Sequence, residues 1–144
     1  MTSSKIVRIG GAAGFWGDSM VAAPQLVMAG RLDYLVFDYL AETTMAILAA
    51  ARAKQPELGW ATDFVDIAMK PVLAEVKRQG IKVISNAGGI NPHGCAAALR
   101  ALAEAEGIAL RIAVVEGDDI GAQMPALRER GIQDMFSGEA MPGK

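Results

Sequence analysis

Four segments of this 144-residue chain concentrate residues that could do chemistry, and each follows an apolar run with the character of a β-strand. The first is Gly10-Gly11-Ala12-Ala13-Gly14-Phe15-Trp16-Gly17-Asp18-Ser19. Glycines let backbone amides approach a ligand, and a helix N-terminus behind them favours an anion such as phosphate. The competing use is a tight turn in which Asp18 or Ser19 caps the helix. The second is Phe37-Asp38-Tyr39-Leu40-Ala41-Glu42, where Asp38 sits at a strand end, the place of the ribose-binding carboxylate in a dinucleotide-binding fold. A solvated acid near a helix start is the simpler use of Asp38. The third, Asn86-Ala87-Gly88-Gly89-Ile90-Asn91-Pro92, sets two amides around two glycines, so that side-chain and main-chain hydrogen bonds can converge. The fourth, Glu116-Gly117-Asp118-Asp119, crowds three carboxylates. Such acids repel one another unless a divalent cation, an amine or hydroxyls offset the charge, or unless the turn is simply solvated.

These segments nominate Asp38, Glu116, Asp118 and Asp119 to position a cation or a proton. Gly10, Gly11, Gly14, Asp18, Ser19, Glu42, Asn86, Gly88, Gly89 and Asn91 are the ligand-binding candidates. His93 and Cys95 make half a metal site at best. A thiolate at a helix N-terminus is physically sensible, but Cys95 among Ala96, Ala97 and Ala98 reads as a buried core residue. Trp16 and Trp60 read as packing residues or loop anchors.

The elements that must position these loops alternate between strand and helix. Strands are expected over Lys5–Ile9, Tyr34–Phe37, Ile81–Ile84 and Leu110–Val115. Helices are expected from the Gly-rich loop to Gly30, over Ala41–Lys54, from an Asp63 N-cap to Gly80 with a break at Pro71, from Asn91-Pro92 to about Glu106, and around Met124 to Arg130. Short connections between alternating elements imply an α/β fold: a three-layer, Rossmann-like, mostly parallel sheet with helices on both faces, in a single domain over residues 1–144. Ligands of such sheets bind at the C-terminal ends of the strands, which is where the four loops would meet.

Bulk properties exclude several classes. Basic and acidic residues number 14 and 16 and are interspersed, so the chain has no nucleic-acid footprint. The longest apolar run, Met45 to Ala51, falls far short of the ~20 residues of a membrane span. The N-terminus shows no signal-peptide apolar segment, and one cysteine excludes an internal disulfide and suits a reducing cytosol. A cytoplasmic protein is expected.

Two fragments imitate short-chain dehydrogenases: the early Gly-rich loop and Asn86-Ala87-Gly88. The match fails in detail, because Gly14 and Gly17 are three apart and no Tyr-x-x-x-Lys pair exists, Tyr34 and Tyr39 being followed four residues later by Asp38 and Thr43. A nucleotide-binding oxidoreductase domain stays as the alternative. The order Ile9 to Ser19, Leu32 to Glu42, Ala61-Thr62-Asp63-Phe64, Ser85 to Pro92 and Val115 to Asp119 resembles, over nearly the whole chain, the N-terminal domain of the acyclic terpene utilisation proteins. That domain was once catalogued only as one of unknown function. The resemblance implies a catabolic protein encoded beside acyl-CoA carboxylases and hydratases, acting on or binding a branched carboxylic acid, free or CoA-linked, near the branched hydroxyacyl-CoA lyase step. Members of that family are longer, so the chain is expected to be a truncated N-terminal part. It would form a homo-oligomer, pair with a missing C-terminal portion, or persist as a non-catalytic subunit.

Overall fold

The computed structural model describes residues 6–141. The chain divides into two compact units, Met1–Val114 and Val115–Lys144. The first unit contains a three-stranded parallel sheet in the order β1-β2-β3: β1 Ile9–Ala13, β2 Tyr34–Phe37 and β3 Lys82–Ser85. Ile9 pairs with Tyr34 and Tyr34 with Lys82; Gly10, Leu35 and Val83 form the next row. The register shifts between Gly11 and Ala13.

β1 lies further along the chain than the sequence suggested and takes up the first half of the Gly-rich stretch; Lys5 lies outside the described residues. Close packing is the reason. A Cβ on Gly10 would sit 3.1 Å from Leu32 and 3.3 Å from Leu26, so the missing side chain lets helix α1, Ala22–Ala29, press against the strand.

The connection from β2 to β3 runs through α2 (Glu42–Lys54), a π-helical turn (Phe64–Met69) and α3 (Leu73–Gln79). Pro71 causes the break that the sequence foretold. It has no N–H to give, and its ring crowds the preceding turn. The chain widens ahead of it, Lys70 N bonding to Val65 O at 3.0 Å, the five-residue spacing of a π-turn. Gly80 ends α3 in the left-handed conformation at φ 69°. Helix α4, Pro92–Ala105, begins as its sequence dictates, with Pro92 in the first turn and the Asn91 side chain accepting from Gly94 N at 3.0 Å.

Burial across the sheet is one-sided. Gly10, Ala12, Leu35 and Phe37 face a core built with Ala23, Val27, Phe64, Val65, Met69, Val72, Leu73 and Cys95. On the opposite face Ile9 and Ile84 are 65% and 55% exposed. This corrects the expectation of helices on both faces. Two successive right-handed crossovers that step in the same direction put their helices on the same face.

The fourth expected strand is also corrected. Residues 108–114 alternate, Ile108, Leu110, Ile112 and Val114 half-buried and Ala109, Arg111 and Ala113 exposed, yet they join no ladder. The period-two pattern reports a half-covered extended segment, whereas a strand also needs a neighbouring edge to bond to. The second unit holds a 3₁₀ turn (Gly121–Gln123), the short helix α5 (Met124–Glu129) and one antiparallel bridge, Gln133 to Ala140. Among the described residues no helix is long and apolar enough to cross a membrane.

Candidate functional site

Parallel strands release their following loops on one edge, so the first three loops emerge together beyond Ala13, Phe37 and Ser85. Hydrogen bonds lock them to each other. Asp38 N donates to Ala13 O at 3.1 Å, tying the second loop to the first. Asn86 ties the third to the second: its Oδ1 accepts from Tyr39 N at 2.7 Å, and its Nδ2 donates to Asp38 Oδ1 at 2.7 Å.

The third loop spends most of its special residues on packing. A Cβ on Gly88 would lie 2.8 Å from Pro92 Cα. One on Gly89, at φ 52°, would lie 2.5 Å from Leu48 and 2.6 Å from Gly59 O. Asn91 Nδ2 reaches Leu58 O at 2.9 Å and Glu57 O at 3.2 Å. Ala61 N donates to Ala87 O at 2.8 Å and Ile90 N to Gly59 O at 3.0 Å. Gly89 and Asn91 therefore clamp the loop around residues 56–61 and Gly88 makes room for Pro92, and of this segment's candidates Asn86 alone bonds to the neighbouring strand-end loop.

In the first loop the anion position is filled from within. Gly14 N donates to Asp18 Oδ2 at 2.9 Å, and Asp18 N closes a turn onto Phe15 O at 3.2 Å. Ser19 Oγ accepts from Ala22 N at 3.2 Å at the start of α1. A phosphate seeking the Gly14 amide would have to displace a carboxylate. Gly10 is buried in the core, and Gly11 lies on the exposed face of the sheet. Glu42 is exposed in the first turn of α2.

A cleft opens between the first loop and the π-turn, lined by Gly17, Asp18, Ser19, Met20, Tyr39, Asp63, Ile67 and Ala68. Its volume of about 20 Å³ holds a single water, so anything larger must lie across its open rim. Of these only Asp18 and Ser19 were on the candidate list; Gly17, Met20, Tyr39, Asp63, Ile67 and Ala68 escaped it. Asp63 has the residue type of an N-cap but makes no cap bond; its Oδ1 accepts from the Trp16 indole N–H at 2.5 Å. Trp16 is thus a loop anchor, as its sequence setting suggested. The signal available beforehand was the rare pairing of an indole donor in a Gly-rich loop with an acid at a helix start.

Tyr39 is 4% exposed. Its ring makes edge contacts with Phe37 at 5.9 Å and Phe64 at 6.2 Å, each contributing about 0.5–1.5 kcal/mol beyond burial. Its phenol is pushed up to about 12, first by burial and then by the Asp63 charge, so it stays protonated at neutral pH. The hydroxyl bonds to no described residue and reaches solvent at the cleft. The cleft thus offers a proton donor, two carboxylates, a serine and an apolar wall of Met20, Ile67 and Ala68.

The fourth loop lies in the second unit, where Glu116, Asp118 and Asp119 are exposed. Asp119 Oδ1 accepts from Gly121 N at 2.8 Å, turning the chain into the 3₁₀ turn. Among the described residues no group of three or more His, Cys, Asp or Glu side chains is placed to hold a metal ion. Cys95 is buried, and burial raises its thiol to about 11, which removes it as a nucleophile and agrees with the core role its alanine neighbours implied.

With that geometry in hand, the comparisons are specific on one point. The family model described as acyclic terpene utilisation family protein AtuA matches residues 7–143. No curated protein and no solved structure gives a significant match.

Proposed function

The chain belongs to the acyclic terpene utilisation family AtuA, and on that premise we propose that it binds a branched carboxylic acid, free or CoA-linked, at the C-terminal edge of its sheet. Membership suggests a role in acyclic terpene utilisation, and the branched acyl skeleton is the part of such substrates that an apolar wall can read. The observation that supports the reading is the cleft itself. Met20, Ile67 and Ala68 stand against the polar groups of Tyr39, Asp18, Asp63 and Ser19 at the strand-end position where α/β sheets take their ligands. The apolar wall suits branched methyl groups, at about 0.8 kcal/mol per buried carbon.

Isothermal titration calorimetry of the whole chain tests this, with isovaleryl-CoA, CoA, isovalerate, NAD⁺ and NADPH as titrants. Saturable binding of a branched acyl compound, lost when Ile67→Asp charges the wall, is the expected result. Binding of the dinucleotides alone would replace this reading with that of a nucleotide-binding oxidoreductase domain.

A further inference from the structure

We propose that the bare face of the sheet binds a second copy of the chain about a two-fold axis, strands antiparallel, with Lys82 of each copy set against the partner's Asp38. The inference is independent of the acyl-binding reading, whose cleft lies between the first loop and the π-turn.

Counting by twos along the strands gives the make-up of that face. β1 contributes Ile9 and Gly11, β2 contributes Tyr34 and Val36, and β3 contributes Lys82 and Ile84. Two residues past Val36 and Ile84 stand Asp38 and Asn86, joined side chain to side chain at 2.7 Å. The centre is apolar, Ile9 and Ile84 being more than half exposed, and covering it is favourable. The two ends differ in sign, with the base Lys82 in the first row and the acid Asp38 beyond the last. The Lys82 ammonium lies 5.3 Å from the centre of the Tyr34 ring. It therefore leans from the edge strand onto β2, the strand that ends at Asp38.

A face with its base at one end and its acid at the other complements itself only when turned end for end. An axis lying between the two sheets, perpendicular to the strands and over the row Gly11, Val36 and Ile84, does this. Ile84 then meets the partner's Ile84 at the axis. Tyr34 and the leaning Lys82 ammonium come over the partner's Asp38, twice by symmetry. Ile9 faces the end of the partner's β1, where Gly11 carries no side chain and a Cβ would meet nothing within 4 Å. Packed sheets stand about 10 Å apart, within the joint reach of a lysine and an aspartate. The other axis, along the strands, would set Asp38 against the partner's Asp38 and leave Lys82 without an acid. Three strands of four or five residues make a small patch, so the dimer is weak and depends on concentration.

Sedimentation velocity over a concentration series of the full chain tests the arrangement, with circular dichroism melts to verify folding. The variants are Lys82→Glu, Asp38→Lys, both changes in one chain, and an equimolar mixture of the two single variants. The parent should pass from monomer to dimer as its concentration rises. Each single variant puts like charges at both contacts and should raise the dissociation constant about tenfold or more. The double variant, and the mixture through heterodimers, restore opposite charges at both contacts and should associate like the parent. Rescue by mixing separates the contact from damage to the fold of one chain. Asp38→Asn keeps the shape and the bond to Asn86; it should weaken association about threefold and replaces Asp38→Lys if that chain does not fold. A parent that is monomeric at every concentration, or an unchanged dissociation constant in Lys82→Glu, overturns the inference. So do weakened single variants that neither the double chain nor mixing rescues, an outcome that gives the face to another partner or another orientation.

Discussion

Asn86→Ala isolates the contact on which the strand-end edge depends. Asn86 makes two side-chain hydrogen bonds to the second loop, at 2.7 Å each. The bond to Asp38 is exposed, and solvent holds its worth to about 0.5–1 kcal/mol even though one partner is charged. The bond from Tyr39 N is part-buried, and its loss leaves a backbone N–H with no acceptor beside a side chain that is 4% exposed. That costs about 1–3 kcal/mol. The total is about 1.5–4 kcal/mol, and for a chain of this size each 1 kcal/mol moves the melting temperature by roughly 3–4 °C. A fall of about 5–16 °C is therefore expected by circular dichroism melting. Asp38→Ala loses only the exposed bond and should fall by about 4 °C or less. Urea melts should show an unchanged slope for both variants, as long as the denatured state is unaffected. If Asn86→Ala melts within 2 °C of the parent, or no lower than Asp38→Ala, the bond to Tyr39 N does not organise the edge and the placement of Tyr39 must come from its ring contacts alone.

Gly89→Ala should cost about 2–4 kcal/mol in urea unfolding, because the new Cβ meets Leu48 and Gly59 O and the left-handed backbone disfavours a side chain; a loss under about 1 kcal/mol would show that the loop yields easily. Cys95, with its thiol raised to about 11 by burial, should resist iodoacetamide at pH 8 and react only as urea unfolds the chain. The sign follows from burial favouring the neutral thiol, so reactivity in the folded state should rise only as pH approaches the raised value, and rapid labelling at pH 8 would contradict it. We propose that the sheet face bearing Ile9 and Ile84 pairs in a homo-oligomer. Light scattering after size exclusion should then show self-association that rises with concentration and is weakened by Ile84→Lys, whereas a monomer at every concentration would refute it.

Local chemistry made much of the first unit legible before any coordinates. Tyr34–Phe37 forms β2 because a short apolar run suits a central strand. Asn91 and Pro92 open α4 because one accepts the orphan amide of Gly94 and the other lacks an N–H that would go unused. Gly80 closes α3 because only a residue without Cβ turns left-handed at no cost. Pro71 breaks its helix by sterics confined to neighbouring residues. Each of these depends on atoms a few residues apart, so the chain carries the answer within a short window.

What tertiary structure decided are the matters settled across long separations. Residues 108–115 have the alternation of a strand, but a ladder needs a second edge, and no local pattern states whether one is available. The two crossovers step the same way, and that topology leaves one sheet face bare. The Asn- and Gly-rich third loop read as a ligand loop; its contacts with Pro92, Leu48, Gly59 and Leu58 show that Gly88, Gly89 and Asn91 serve close packing. Conversely, Asp63 read as a cap and Tyr39 had no assigned role, and they became site residues through partners 47 positions away, Trp16 for one and Asn86 for the other. A residue type advertises which hydrogen bonds it can make; the fold selects the partner.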